Sequence, residues 1–144
     1  VSSPPEGPPL YWWASVRQAI LCCDYEPVAA TVGPSRVFVE IERSGADADG
    51  SAIDAEGFLW NAQWGGARVV RYAPDGRIDR IVPVPVPQPS CCAIGGAGLD
   101  TLYVITSPQG LDTEARAAAP ESGSLFELDL GHGLGLPESR VVLP

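Results

Sequence analysis

The residues of this chain that could do chemistry are carboxylates, and Asp49 stands apart from the rest. It immediately precedes Gly50 in the stretch Asp47-Ala48-Asp49-Gly50-Ser51-Ala52-Ile53-Asp54-Ala55-Glu56-Gly57-Phe58-Leu59-Trp60-Asn61-Ala62-Gln63-Trp64-Gly65-Gly66. A carboxylate where a short strand begins can carry a proton or hold a hard cation through oxygen. Asp-Gly is also a common turn former, which is the structural reading of the same residue. Asp47, two positions earlier, admits a supporting role beside Asp49 or a solvated place in a loop. Asp54 and Glu56 suit the hairpin turn that ends in Gly57, where Asx-type hydrogen bonds tighten the chain. Asp24, Asp75 and Asp100 read the same way.

Other reactive residue types are sparse. His132 is the single histidine, set in Gly131-His132-Gly133, and reads as a loop residue. With no second histidine, Ser-His-Asp chemistry and histidine-rich zinc sites are poor fits. Asn61 is the single asparagine; it falls in mid-strand and is given no site role. The cysteines form two adjacent pairs, Cys22-Cys23 and Cys91-Cys92, with no Cys-x-x-Cys spacing. Neighbours in a strand point to opposite faces, so neither pair converges on one metal. They read as small buried hydrophobes of a reducing, cytoplasmic compartment, with a disulfide between the pairs as the alternative. Cys91 begins an inner strand and could approach a central channel. Trp60 and Trp64 admit sugar stacking or packing between layers, of which packing is the commoner role. Trp12 and Trp13 are adjacent, so one faces each side of a strand.

Composition narrows the class. The chain has 144 residues, enough for one domain with a sizeable core. It is 45% hydrophobic and 19% charged, an ordinary globular balance. A net charge of −9 repels nucleic acid and anionic lipid, so neither is an expected partner. No apolar run approaches the length of a membrane span. Sixteen glycines and fifteen prolines punctuate short apolar runs, which favours all-β architecture over helices. The chain starts at Val1 without a methionine, as a trimmed or partial chain would.

A repeat positions these residues. Ser51-Ala52-Ile53 matches Cys92-Ala93-Ile94, and Phe58-Leu59-Trp60 matches Thr101-Leu102-Tyr103, at a spacing of about 41 residues. That period suits four-stranded propeller blades. One complete blade is expected with strands near 51–54, 58–63, 67–73 and 78–86, preceded by a loop that carries Asp49. A second uses about 91–95, 101–106, 123–129 and 139–143. The first, with strands near 10–14, 17–25 and 36–42, lacks an inner strand, which would lie before Val1. The blades divide the chain at approximately 1–45, 46–88 and 89–144. In Val82-Pro83-Val84-Pro85-Val86-Pro87-Gln88-Pro89 the prolines remove donors from one edge only, which suits an outermost strand; a polyproline II linker is the alternative. Residues 107–122 read as a long inserted loop with a helical turn at 113–119. Residues 130–137 read as an irregular, glycine-rich tail.

Several of these motifs together resemble the regucalcin/gluconolactonase family, also called SMP-30. They are Asp49-Gly50, Ile53-Asp54-Ala55-Glu56-Gly57, Leu59-Trp60, Gly65-Gly66-Ala67-Arg68-Val69-Val70-Arg71-Tyr72-Ala73-Pro74-Asp75-Gly76, Pro89-Ser90-Cys91-Cys92-Ala93-Ile94-Gly95-Gly96 and Leu99-Asp100-Thr101-Leu102-Tyr103-Val104. Leu10-Tyr11-Trp12 and Asp24-Tyr25 extend the likeness, which covers roughly residues 10–130. The resemblance implies an all-β fold, part of a six-bladed β-propeller, with this chain as the C-terminal half. It implies hydrolysis of a sugar lactone of the gluconolactone or arabinolactone type, with one divalent cation: calcium, zinc, manganese or magnesium.

The resemblance places Asp49 at the family's metal-binding aspartate, which also serves as acid/base. The family's remaining metal ligands and its substrate-clamping residues belong to the half not present here. Ala48 stands where the family commonly has proline, and Ala14 where it commonly has an acidic residue. The expected assembly is therefore a complete propeller, formed with the missing N-terminal half or a second copy. The competing reading is a non-catalytic propeller segment that binds a cation or a protein partner.

Overall fold

The computed structural model describes residues 9–14, 18–41 and 45–137. Among these residues the chain is a succession of antiparallel sheets, built from consecutive strands except where a short hairpin interrupts the first. Strands β1 (Leu10–Ala14) and β2 (Ala19–Cys23) are followed by a short hairpin, β3 (Tyr25–Glu26) with β4 (Thr31–Val32), and by β5 (Arg36–Glu40). The first sheet has the order β1-β2-β5. The second consists of β6 (Asp47–Ile53), β7 (Leu59–Trp64), β8 (Arg68–Tyr72) and β9 (Ile78–Pro83), in that order. The third consists of β10 (Pro89–Gly95), β11 (Thr101–Thr106) and β12 (Leu125–Asp129), with the helix α1 (Thr113–Ala118) between the last two strands. Up-and-down sheets in sequence are propeller blades. The middle blade has all four expected strands. The strand expected before Val1 and the one expected at 139–143 lie outside the described residues.

Side-chain alternation along the strands fills two cores, one on each face of the middle blade. Leu59, Val70 and Tyr72 join Tyr11, Ile20, Cys22 and Ile41 of the first blade. Trp60, Ala62, Val69 and Val82 join Cys92, Leu102, Val104 and Leu130 of the third. Trp60 is therefore a packing residue between blades. The middle sheet is covered on both faces, so β7 is buried from Leu59 to Gln63, its two amides Asn61 and Gln63 included.

The hairpin between β6 and β7 depends on Gly57, whose φ of +79° is costly for any residue with a Cβ. Asp54 closes it through its own carbonyl, which accepts from Gly57 N at 3.0 Å. In the inserted segment after β11, Asp112 caps α1, its carboxylate accepting from Ala115 N at 2.8 Å. None of the described helices is long and apolar enough to cross a membrane.

Two expectations need correction. Residues 47–50 are not a loop ahead of the inner strand; they are the first half of β6 itself. The valine–proline strand does not run to Val86 but ends at Pro83. Pro83 pairs with Arg68, the first residue of β8, so the ladder partner runs out there. β9 is outermost, as the donor-free edge suggested. The alternation itself continues past the strand: Val84 and Val86 remain buried while Pro85 is exposed. Val84 N donates to Ala67 O at 2.8 Å and Ala67 N donates to Pro87 O at 3.2 Å, tying the bend back to the blade. The hairpin β3–β4 was not foreseen; its glycine-proline and alanine-rich stretch gave no period-2 signal.

Candidate functional site

Asp49 owes its setting to an irregularity in the ladder between β6 and β7. Ala48 pairs with Gln63 and Ser51 pairs with Asn61, so Asp49 and Gly50 together face the single residue Ala62. This is a β-bulge, which bends a strand and re-aims the side chain it carries. The carbonyl of Asp49, freed from regular pairing, accepts from Asn61 Nδ2 at 2.8 Å. The same Nδ2 donates to Ser51 Oγ at 2.9 Å. Asn61 is fully buried, and its Oδ1 has no hydrogen-bond partner among the described residues. An orphaned buried acceptor costs about 1–3 kcal/mol.

The Asp49 carboxyl is half-buried. Burial pushes its pKa above the usual carboxylate value, partly offset by the Gly50 backbone N–H. Gly50 lies directly against the inner strand of the next blade: a Cβ there would sit 2.4 Å from Cys91 Sγ and 2.7 Å from Cys91 Cα. Only glycine permits that approach. The backbone of β10 thus forms one wall beside the bulge, with the half-buried Cys91 thiol at the contact. Cys92 points the other way, into the core, where its Sγ lies 3.8 Å from Gly50 O and 3.6 Å from Trp60 O. Burial pushes the Cys92 thiol up to about 12, so it stays protonated and unreactive. All four cysteines are free.

The far end of β6 is held by a buried ion cluster. Asp54 Oδ1 accepts from the backbone N–H groups of Glu56 and Phe58, each at 3.0 Å. Its Oδ2 accepts from Trp60 Nε1 at 2.8 Å and from Arg71 Nε and Nη2 at 2.8 and 2.7 Å. Arg71 also donates to Glu56 at 2.6 Å and to Asp79 at 2.8 Å, and its guanidinium lies 3.8 Å from the centre of the Phe58 ring. Burial alone would lower the Arg71 pKa; its three carboxylate partners, Asp79, Glu56 and Asp54, more than reverse that, and the net shift is upward. All three guanidinium nitrogens of Arg71 donate to carboxylates of the cluster, which makes it a structural residue of the blade.

The remaining candidates separate cleanly. Asp54 and Glu56 are structural, as the turn pattern suggested. Asp47 is half-buried in β6 opposite Trp64, so it does not occupy a solvated loop. Asp75 forms its own Asx turn with Arg77 N at 3.0 Å, and Asp24 pairs with Arg36 on the surface at 3.2 Å. His132 is exposed in an irregular segment. Two residues were missed from sequence. Arg71 lies on β8 between Val70 and Tyr72, and no partner of its guanidinium is near it in sequence. Asn61 was set aside as mid-strand, yet it is the residue that meets Asp49.

The donor set bears on a divalent cation. A hard cation takes six to eight oxygens, or near-octahedral coordination when small. The half-buried Asp49 carboxylate is an oxygen ligand of the right kind. No group of three or more His, Cys, Asp or Glu residues suited to a metal occurs among the described residues. The Asp49 carboxylate fits such a cation as an oxygen ligand, without a three-residue ligand group around it among the described residues.

Comparison with known proteins bears on the fold and the family. The model of the SMP-30/gluconolactonase/LRE-like region matches residues 3–108. The chain is 43% identical over 136 residues to L-arabinolactonase of Azospirillum brasilense, covering 94% of this chain and 44% of that protein. It is 32% identical over 127 residues to human regucalcin, covering 88% and 42% of the two. A crystal structure of a calcium-binding regucalcin from Agrobacterium tumefaciens superposes with a TM-score of 0.89 at 30% identity, over 99% of this chain and 48% of that one. The chain thus spans less than half the length of the curated relatives it matches. In blade architecture, inner-strand motif and extent of match, the chain belongs to the SMP-30/gluconolactonase/LRE-like family and forms part of its six-bladed β-propeller.

Proposed function

We propose that the full-length protein carrying this chain hydrolyses a sugar lactone, of the arabinolactone or gluconolactone type, to the open hydroxy acid, and that Asp49 is its acid/base and a metal ligand. The observation that carries the reading is the half-buried Asp49 carboxylate on the inner-strand bulge of a chain so similar to an L-arabinolactonase. A bound divalent cation would supply charge stabilisation at the lactone carbonyl and a more acidic water.

The chain's own residues would supply proton transfer. Ring opening forms a bond between a water oxygen and the carbonyl carbon and breaks the bond from that carbon to the ring oxygen. The attacking water must lose a proton and the departing ring oxygen must gain one. The Asp49 carboxylate takes the first and returns it to the second, so atoms and charge balance over the cycle. Partial burial aids this role, because a carboxyl displaced upward is a better base than an exposed aspartate.

Acid release from a panel of aldonolactones, followed by pH-stat on the full-length protein with and without a chelator, tests the proposal. Lactone-dependent acid release that a chelator removes and a divalent cation restores is expected. Hydrolysis indifferent to chelation would contradict the cation's role. No hydrolysis with any lactone would leave the chain as a binding segment of a propeller.

A further inference from the structure

We propose that Asn61 is a positioning residue for Asp49, holding the bulge so that the carboxylate keeps one direction; the inference rests on the lactonase reading for its kinetic readout but not for its binding readout. Regular pairing leaves the Asp49 carbonyl without a ladder partner, because two residues of β6 face one of β7. The side-chain amide of Asn61 replaces that partner at 2.8 Å and reaches on to Ser51 Oγ at 2.9 Å. Both Nδ2 hydrogens are thereby used, one on each side of the bulge. One rigid, planar group thus holds the Asp49 backbone carbonyl and the Ser51 hydroxyl together, and that hydroxyl itself lies 3.4 Å from the same carbonyl.

The amide's orientation follows from its partners. Turning it over would set Oδ1 against the Asp49 carbonyl, acceptor against acceptor. The orientation that satisfies Asp49 leaves Oδ1 buried without a hydrogen bond among the described residues. A β-branched or aromatic residue would serve this fully buried mid-strand position with no orphaned acceptor. An asparagine that costs stability while bonding the main chain of the candidate acid/base fits a residue retained for the site. Gln63, two residues along on the same strand, is the contrasting case. It is equally buried, but its amide bonds Tyr72 Oη at 2.8 Å and Arg68 Nε at 2.6 Å, away from Asp49.

The experiment compares Asn61→Val with Gln63→Met in the full-length protein, measuring lactone kinetics, calcium and manganese affinity by calorimetry, and melting temperature. Gln63→Met is expected to lower the melting temperature, because it strands Tyr72 Oη and Arg68 Nε, whereas Asn61→Val is expected to leave it unchanged or raise it, because it removes a buried orphaned acceptor. Asn61→Val alone is expected to lower kcat and cation affinity, each by roughly 10–100-fold, with KM for the lactone within about twofold. Should Asn61→Val not fold, Asn61→Ser removes the amide with a smaller change in packing and is read in the same way. Kinetic constants and cation affinity within about twofold of the unsubstituted protein would overturn the proposal, as would equal losses in Gln63→Met. If the unsubstituted protein binds cation but opens no lactone, the lactonase reading falls and cation affinity alone decides the role of Asn61. If it binds no cation and opens no lactone, both are overturned.

Discussion

Arg71 and Asp54 are joined twice: Nε and Nη2 of the arginine both donate to Oδ2 of the aspartate, at 2.8 and 2.7 Å, with both side chains buried. This pair anchors the hairpin that carries the inner strand, because Asp54 ends β6 and Arg71 lies on β8. Removing one partner of a buried pair strands the other charge. Arg71→Leu is therefore expected to destabilise the full-length protein by about 3–5 kcal/mol in urea unfolding. The other two partners are more exposed, with side-chain accessibilities of 54% for Glu56 and 33% for Asp79. Glu56→Ala and Asp79→Ala are each expected to cost under about 1 kcal/mol. Equal costs for all three substitutions would show that the cluster shares its load and that Asp54 is not its centre.

Gly50 meets Cys91 at backbone as well as side-chain atoms. A Cβ at Gly50 would lie 2.7 Å from Cys91 Cα, which removal of the thiol does not relieve. Gly50→Ala is expected to lose about 1–3 kcal/mol of stability, and most lactone hydrolysis, because β6 has to move off β10. Adding Cys91→Gly is expected not to restore either. Full restoration by the double substitution would mean that only the thiol sets the spacing.

Cys92 predicts an alkaline sensitivity with a defined sign. Its thiol is raised in the folded state, to about 12 from an ordinary 9.0, by burial first and Cys91 second. The unfolded chain gives up this proton earlier, so the stabilisation is complete below the ordinary value and is lost as pH climbs toward the folded one. The urea midpoint is expected to fall as pH rises above about 9, and to fall less steeply in Cys92→Ala. At pH 8 a thiol of this pKa is about one part in ten thousand thiolate, so iodoacetamide is expected to spare Cys92 in the native protein. Modification of Cys92 as fast as of an unfolded control would show that the inner face of β10 opens readily.

Much of the fold was legible because its signals are local. The repeat relating Ser51-Ala52-Ile53 to Cys92-Ala93-Ile94 located two inner strands, β6 and β10. Gly57 marked the hairpin between β6 and β7, and the composition of 107–122 marked the insertion. What was not legible was pairing geometry. A bulge adds one residue to one strand and leaves no periodic trace, so Asp47–Gly50 looked like a loop. The end of β9 is set by where β8 begins, a fact held by Arg68 and not by the prolines themselves. At the site, Asp49 was legible through the family motif. Asn61 was not, because its role comes from lying across a bulge, twelve positions along the chain from the carbonyl it holds. Arg71 was hidden for a similar reason: its partners sit on two other segments, Asp54 and Glu56 in the turn after β6 and Asp79 on β9.

The most direct test of the central claim is lactone hydrolysis by full-length protein carrying Asp49→Ala, measured at saturating divalent cation beside the unsubstituted protein, with circular dichroism to establish the fold. Loss of hydrolysis together with weakened cation binding, in a protein that keeps its β spectrum and its melting transition, is the expected result. A folded Asp49→Ala protein that opens the lactone at the unsubstituted rate and binds the cation as tightly would contradict the assignment of Asp49 as acid/base and metal ligand.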